Sequence, residues 1–289
     1  MNQQQLEQYL QQLRSMGLTE DAIAMYRQQM EQAMQFSANL GNQFNQFASM
    51  FGSQQGLHDA VNAVRLNEAA TLSTGEQWAV ACGADVAFAN GQYLNDLATG
   101  LDKSTCRQLL SDWWDIDGTE ELQERIAILK ESGSRVEYDI IWQALNTVSI
   151  KESKAFLREY VADAGLDEET VLDHMRNTRD ALELFAEKQL LEPGLQPEML
   201  IWDFARIINL SRGGFDAGYL TREQALEHIM FCVPAIQRVY TSWKHLSISY
   251  QFARCVWNGV DEEEAEEFLQ NMEVLLTDPK SPWMTLPWK

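Results

Sequence analysis

The side chains best suited to chemistry are a carboxylate and a guanidinium that lie among aromatic residues in the second half of the chain. Asp203 and Arg206 are three residues apart and follow Trp202 directly, so on a helix they are neighbours on one face. As a structural pair they would fix the register of that helix, with the guanidinium stacked on the indole. As a binding site they would offer both charges to a ligand. The spacing alone does not demand the second role.

A hydroxyl and an imidazole also occur three residues apart, at Ser242 and His245. A catalytic nucleophile and its base usually come from separate elements, because that arrangement sets their angle and leaves room for an oxyanion site. The sequence contains no Gly-x-Ser-x-Gly elbow, His-Glu-x-x-His pair, P-loop or Gly-x-Gly-x-x-Gly turn. Nucleophilic catalysis is therefore not predicted for this segment.

A third group combines aromatic rings with a cation. Tyr250, Arg254 and Trp257 follow one another at spacings of four and three, and Trp243 extends the same stripe seven residues earlier. Core packing is the favoured interpretation, with Arg254 paired to a carboxylate such as Asp203.

The competing interpretation is that polar residues recurring among tryptophans line a pocket for a small molecule or an enzyme substrate. The candidate lining residues are Trp202, Asp203, Arg206, Tyr219, Ser242, Trp243, Tyr250 and Arg254.

No metal or cofactor site is predicted. The four cysteines do not form a Cys-x-x-Cys pair, and the four histidines are scattered. The acidic run from Asp261 to Glu267 is contiguous, and a helix would splay its carboxylates rather than bring them together on an ion. Unpaired thiols in a chain of this size indicate a reducing compartment.

The charge excludes several partners. The chain has 22 basic and 43 acidic residues, for a net charge of −21, and that field repels nucleic acid and anionic lipid. No apolar run reaches the roughly 18 residues that cross a membrane. The N-terminus has no basic segment followed by an apolar one, so no signal peptide is predicted. We expect a cytoplasmic protein.

The secondary-structure elements that would carry these residues are all predicted to be helices. Residues 1–56 form an arm rich in glutamine and methionine, predicted as a helical hairpin that turns at Gly17. Its later part places large apolar residues on one face, at Phe36, Leu40, Phe44 and Phe47. This face either docks on its own domain or mediates self-association or binding to a partner.

Residues 57–289 are predicted as one irregular multi-helix globular domain of the all-α class. Helices are expected over 57–72 and 74–90, and Pro234 should kink or restart another. Ser134 with Glu137, and Thr221 with Gln224, have the spacing of capping boxes. Further helix starts are predicted at Thr119, Asp167, Pro197 and Asp261.

The C-terminal tail is predicted to be an extended clasp. Pro282 and Pro287 oppose continuation of a helix, and Trp283 and Trp288 lie five residues apart. Each indole buries roughly 200 Å² when it docks. We expect both to pack on the helices that bear Trp202, Trp243 and Trp257, the last of which would complete the clasp. The alternative is a tail that binds a partner.

Together these motifs resemble a bacterial family catalogued as domain of unknown function 1266. The resemblance covers roughly residues 60–288 and its closing motif is the most specific part. The matching residues, in order, are Trp78-Ala79, Trp113-Trp114, Trp202-Asp203 with Arg206, Gly218-Tyr219-Leu220 with Glu223 and Ala225, Tyr240 with Ser242-Trp243, Tyr250 with Arg254 to Trp257, Ser281-Pro282-Trp283 and Leu286-Pro287-Trp288. The resemblance implies a helical cytoplasmic protein without an established activity, and some members are encoded near chaperone genes or toxin-secretion genes.

The leading functional hypothesis is a non-enzymatic interaction factor: an adaptor, a chaperone-associated protein or an immunity-type factor. Its partner, or a second copy of the chain, would bind through the arm of residues 1–56. The strong negative charge also suits an inhibitor of a basic toxin. The small-molecule pocket, with or without catalysis, is the alternative.

Overall fold

The fold is all-α, as the sequence predicts. The computed structural model describes residues 63–146, 149–164, 167–191, 196–260 and 262–288, all within one compact unit that begins at Val61. In these ranges the only β-type pairing is an isolated bridge between Arg65 and Tyr93. The predicted arm of residues 1–56 lies outside the described residues.

The described helices are α1 (Thr74–Ala81), α2 (Ala84–Ala89), α3 (Lys103–Trp114), α4 (Thr119–Glu131), α5 (Arg135–Leu145), α6 (Ile150–Ala164), α7 (Glu168–Glu187), α8 (Leu200–Ala217), α9 (Arg222–Val239), α10 (Trp243–Asn258), α11 (Glu262–Thr277) and α12 (Pro282–Thr285). None of them is both long enough and apolar enough to cross a membrane.

Helix α8 is the centre of the fold. It packs against α2, α3, α4, α5, α9 and α10, and its buried residues lie on several faces rather than along one stripe. A helix that is buried all round cannot be amphipathic. Asp203 near its start and Arg212 near its end are both buried, so each must find polar partners inside the protein.

Arg212 organises the loop between α2 and α3. Its guanidinium donates hydrogen bonds to the carbonyls of Tyr93, Asp96, Leu97 and Ala98 and to the side chain of Gln92. Burial lowers the pKa of Arg212 to about 10, which still leaves the group charged at neutral pH.

Near the N-terminal end of the described region, one helix prediction is wrong and a second is correct except for a break. Residues 63–72 are not helical, because Arg65 pairs with Tyr93 and Asn67 bonds the side chains of Asn95 and Asp96. The helix expected over 74–90 breaks into α1 and α2. At the break, a Cβ on Gly83 would lie 2.9 Å from Ile208 Cγ2, so glycine lets the chain approach α8.

The predicted helix starts are confirmed where the capping hydrogen bond joins residues that are three apart in the sequence. Thr221 and Gln224 form a capping box, and Asp167 caps α7. Thr119 is instead the first residue of α4, after Gly118. Pro197 precedes α8 rather than opening it, and Asp261 lies outside the described residues.

Three further expectations differ from the structure. Ser134 forms no side-chain cap, so the box with Glu137 is wrong. Helix α9 continues through Pro234 and does not restart there, while the alternative of a kink at Pro234 stays a prediction. The tail is not extended throughout, because Pro282 opens the short helix α12, and proline suits a first helical position since its missing N–H needs no partner there.

Candidate functional site

The Asp203 carboxylate is the most highly connected polar group of the predicted site. It lies on the first turn of α8 and is fully buried. Its Oδ1 accepts a hydrogen bond from the backbone N–H of Ser134 at 2.8 Å, and its Oδ2 accepts one from the N–H of Arg135 at 3.2 Å. Asp203 thereby caps the start of α5 from another helix and replaces the predicted local box.

Two guanidinium groups complete the shell around this carboxylate. Arg135 Nη1 lies 2.8 Å from Asp203 Oδ2, and Arg206 Nη2 bonds Asp203 Oδ1. Arg206 also donates to the Ser134 hydroxyl at 2.8 Å and to the Trp202 carbonyl at 3.0 Å. Both carboxylate oxygens are therefore bonded from two directions, which is the condition for burying a charge at tolerable cost.

The two cations are themselves covered by aromatic rings. The Arg206 guanidinium lies 4.9 Å from the centre of the Trp202 ring, and that of Arg135 lies 5.7 Å from the centre of Phe204. Burial lowers the pKa of Arg206, while the charge of Asp203 opposes that shift. The predicted stacking of Arg206 on tryptophan is thus present in the structure.

Aromatic contacts extend from this group along α10 to His174 on α7. The Trp202 ring centre is 5.4 Å from that of Tyr250 and 6.4 Å from that of Trp257. Trp257 in turn packs on His174 at 4.6 Å, and His174 Nδ1 lies 2.6 Å from a carboxylate oxygen of Glu137. Burial raises the pKa of Tyr250 above its ordinary range, so its phenol is protonated at neutral pH.

Trp202, Asp203, Arg206 and Tyr250 are therefore the predicted site residues that the structure brings together. They fill the space between α5, α8 and α10 rather than line a visible cleft. The indole Nε1–H of Trp202 is buried but has no hydrogen-bond acceptor in the described part of the chain. An isolated indole donor does not define a ligand site.

The remaining pocket candidates lie elsewhere. Tyr219 follows the far end of α8 and packs under Arg107 at 5.3 Å. Ser242 is the N-cap of α10 and accepts a hydrogen bond from the N–H of His245 at 3.0 Å. Arg254 covers the Phe268 ring at 4.9 Å, while Asp203 has Arg135 and Arg206 as its ion-pair partners. The expected pairing of Arg254 with Asp203 is therefore wrong.

Trp243 belongs to a cluster of four tryptophans at the tail, which we call the tryptophan cluster: Trp78, Trp243, Trp283 and Trp288. The Trp243 and Trp283 rings stack at 5.7 Å with 9° between their planes, and Trp288 meets Trp243 edge-on at 4.8 Å. Trp283 Nε1 donates to the Ala81 carbonyl at 2.8 Å, and Trp243 Nε1 donates to the Leu286 carbonyl at 2.9 Å.

The tail thus docks on the helices of Trp78 and Trp243, and the predicted clasp is corrected in one respect. Trp257 packs against Trp202 and His174 instead of joining Trp283 and Trp288, because it lies at the other end of α10 from Trp243. Sequence reasoning missed Trp78 as a partner, although it recognised that the helix carrying it is buried.

Sequence reasoning missed one charged residue of the site, Arg135, which is 68 residues away from Asp203 in the sequence. Arg135 is the first residue of α5, and the glycine two positions before it was the available signal. Within the described residues, no group of three or more histidine, cysteine, aspartate or glutamate side chains is arranged to hold a metal ion. All four cysteines are buried.

The fold and this site define an all-helical protein whose most buried ionic group joins helices together. The family model described as "Protein of unknown function (DUF1266)" matches residues 109–288, which is more than half of the chain, and the chain belongs to that family. The match begins later than the resemblance at residues 60–288 indicated, so Trp78 and Ala79 lie outside it. No curated protein and no solved structure matches the chain.

Proposed function

We propose that this protein is a non-enzymatic interaction factor of the adaptor, chaperone-associated or immunity type. The observation that carries the proposal is the bonding of Asp203. The side chains with the best prospects for chemistry bind one another in the interior, and both oxygens of the one buried carboxylate among them are occupied by N–H donors. A group that is already fully bonded has no capacity left for a substrate.

The packing does not favour the small-molecule alternative. Trp202 and Tyr250 lie ring against ring at 5.4 Å, and a pocket would have to open between them. The other candidates have separate partners: Tyr219 contacts Arg107, Ser242 caps α10, and Arg254 covers the Phe268 ring. The eight candidate residues therefore do not converge on one point, as a binding site requires.

The net charge of −21 supports a cationic protein partner over nucleic acid or an anionic membrane. The absence of a Cys-x-x-Cys pair and of a disulfide spacing framework in the sequence supports a reducing compartment such as the cytoplasm. We assign the contact to the arm of residues 1–56, where Phe44 and Phe47 share the predicted apolar face. The occupant is either a partner or a second copy of the chain.

Site-specific photo-crosslinking in cells of the native host tests this proposal. A photoreactive residue at Phe44 should give a discrete intermolecular product that a matched residue at Gln46, on the opposite side of the predicted helix, does not give. Raising the salt concentration during association should slow formation of a complex with a basic partner, since steering between opposite charges is screened. Crosslinks from Phe44 that reach only the same chain would overturn the assignment.

A further inference from the structure

A polar group outside the predicted site pairs a lysine with a histidine. Lys130, in the last turn of α4, places its Nζ 2.8 Å from Nδ1 of His228 on α9. The same amine lies 4.5 Å from the centre of the Phe231 ring, one helical turn further along α9. Lys130 is partly buried, whereas Phe231 is 50% exposed, so the pair lies under a surface aromatic residue and remains within reach of solvent.

The charges around this amine are unusual for so acidic a protein. Within the described part of the chain Lys130 forms no ion pair with a carboxylate. The titratable groups that act on it are Glu227 and the Cys232 thiol of α9. From α5, Arg135 donates a hydrogen bond to the backbone carbonyl of Lys130 at 2.7 Å.

This environment disfavours the ammonium form. Burial lowers the pKa of Lys130, and burial together with the charge of Lys130 lowers the pKa of His228. The Phe231 ring and Glu227 act in the opposite direction, since a ring face and a carboxylate both attract a cation, but they do not reverse the net effect. The Lys130 amine and the His228 imidazole nitrogen therefore lie 2.8 Å apart, and the pKa of each group is lowered.

We propose that Lys130 is an amine nucleophile that condenses with small aldehydes, with His228 as the residue that accepts its proton. A lysine that is desolvated and lies beside another basic group is activated in this way. The half-exposed Phe231 ring borders the amine and favours an aromatic or apolar aldehyde over a charged one.

The reaction is balanced without any oxidant or reductant. His228 Nδ1 takes a proton from the Lys130 ammonium group, and the free electron pair on Nζ forms a bond to the aldehyde carbon. The carbonyl π electrons move to oxygen, which is protonated by the imidazolium. The resulting protonated carbinolamine loses water, and the product is a protonated imine on Lys130, with His228 neutral again.

Reductive trapping on the wild-type full-length chain tests this assignment. Benzaldehyde and cyanoborohydride are added briefly at pH 7, and peptide mass spectrometry measures the labelled fraction of each lysine. Lys130 should be labelled about tenfold faster than the exposed Lys103 and Lys244, because burial lowers the pKa of Lys130 and favours its nucleophilic amine form. Equal rates at the three lysines would overturn the proposal.

The role of His228 is tested by a matched pair of histidine variants. His228→Gln should reduce labelling of Lys130 to the rate of Lys103, whereas His245→Gln, at a half-buried histidine away from Lys130, should leave it unchanged. An undiminished rate in His228→Gln would also overturn the proposal. The wild-type pH profile is an independent readout: labelling of Lys130 should reach its plateau at lower pH than labelling of Lys103, and coincident profiles would overturn the proposal.

Discussion

The Asp203 carboxylate occupies the space that a side chain on Gly133 would need. A Cβ built on Gly133 would lie 2.2 Å from Asp203 Oδ2, and the backbone φ of Gly133 is +57°, a value that favours glycine. The turn between α4 and α5 therefore packs directly against the Asp203 carboxylate of α8, with no room for a side chain on Gly133. This relationship links the local conformation of one turn to the packing of the central helix.

Replacement of Gly133 by alanine should be strongly destabilising. The added methyl group would displace the carboxylate from the start of α5 and would also be strained at positive φ. We expect the free energy of unfolding to fall by about 3 kcal/mol, measured by urea denaturation.

Gly75 provides the matched control for this substitution, because a Cβ there meets nothing within 4 Å. Gly75→Ala should be neutral or stabilising by up to about 1 kcal/mol. Equal effects at the two glycines would show that Asp203 does not constrain the turn.

Removal of the carboxylate itself should cost at least as much. Asp203→Ala leaves Arg135 and Arg206 partly buried without a counter-charge and two backbone N–H groups without an acceptor. The expected loss is about 3–5 kcal/mol, as for other buried pairs that lose one partner. Chemical denaturation of the purified variant measures it.

An exposed ion pair serves as the comparison for Asp203. Asp173 lies 2.7 Å from Arg176, with both side chains about half exposed or more, and Asp173→Ala should change stability by less than about 1 kcal/mol. If Asp203→Ala were equally mild, the ionic group would not hold α5 against α8.

Truncation of Trp283 should release the tail. Trp283→Ala removes a 5% exposed indole, its stacking on Trp243 and its hydrogen bond to the Ala81 carbonyl. The expected loss is about 3–5 kcal/mol, the usual range for a large aromatic core residue, seen as a lower midpoint in thermal or urea unfolding.

The neighbouring Met284 is 53% exposed and provides the control. Met284→Ala should shift the free energy of unfolding by no more than about 0.5 kcal/mol. A Trp283→Ala variant with unchanged melting would indicate that the tail binds a partner rather than its own domain.

A buried acid should make stability depend on pH. Asp85 Oδ1 accepts hydrogen bonds from Ser247 Oγ at 2.7 Å and Gln251 Nε2 at 2.9 Å, but burial outweighs them and raises the pKa of Asp85 from 3.8 to about 7. Below pH 4 the group is protonated in both states and its contribution is fully present. As the pH rises from 4 to 7 the unfolded chain loses this proton first, so stability falls, and above pH 7 the contribution is constant.

Asp85→Asn removes this titration while it keeps the shape of the side chain. The free energy of unfolding of the wild type relative to this variant should fall between pH 4 and pH 7 by an amount on the order of 4 kcal/mol. Urea denaturation of both proteins at each pH cancels the contribution of the other carboxylates. Parallel pH curves would mean that Asp85 is ionised in the folded protein throughout.

The sequence by itself determined the helical class and those helix starts whose bonds are local. Thr221 and Gln224 are one turn apart, and Asp167 caps a backbone N–H three residues later, so adjacent residue types suffice to predict them. The buried character of the helix that carries Trp78 was also predictable, because its small residues permit close approach of neighbouring helices.

Only the tertiary structure decided which distant groups satisfy each other. Ser134 has the sequence of a capping residue, yet Asp203 provides the cap, because a buried carboxylate needs donors and the start of α5 offers unpaired N–H groups. Trp283 finds its acceptor at Ala81, 202 residues earlier. Sequence periodicity shows that such groups are buried, but their partners depend on how the helices pack in three dimensions, and no local pattern carries that information.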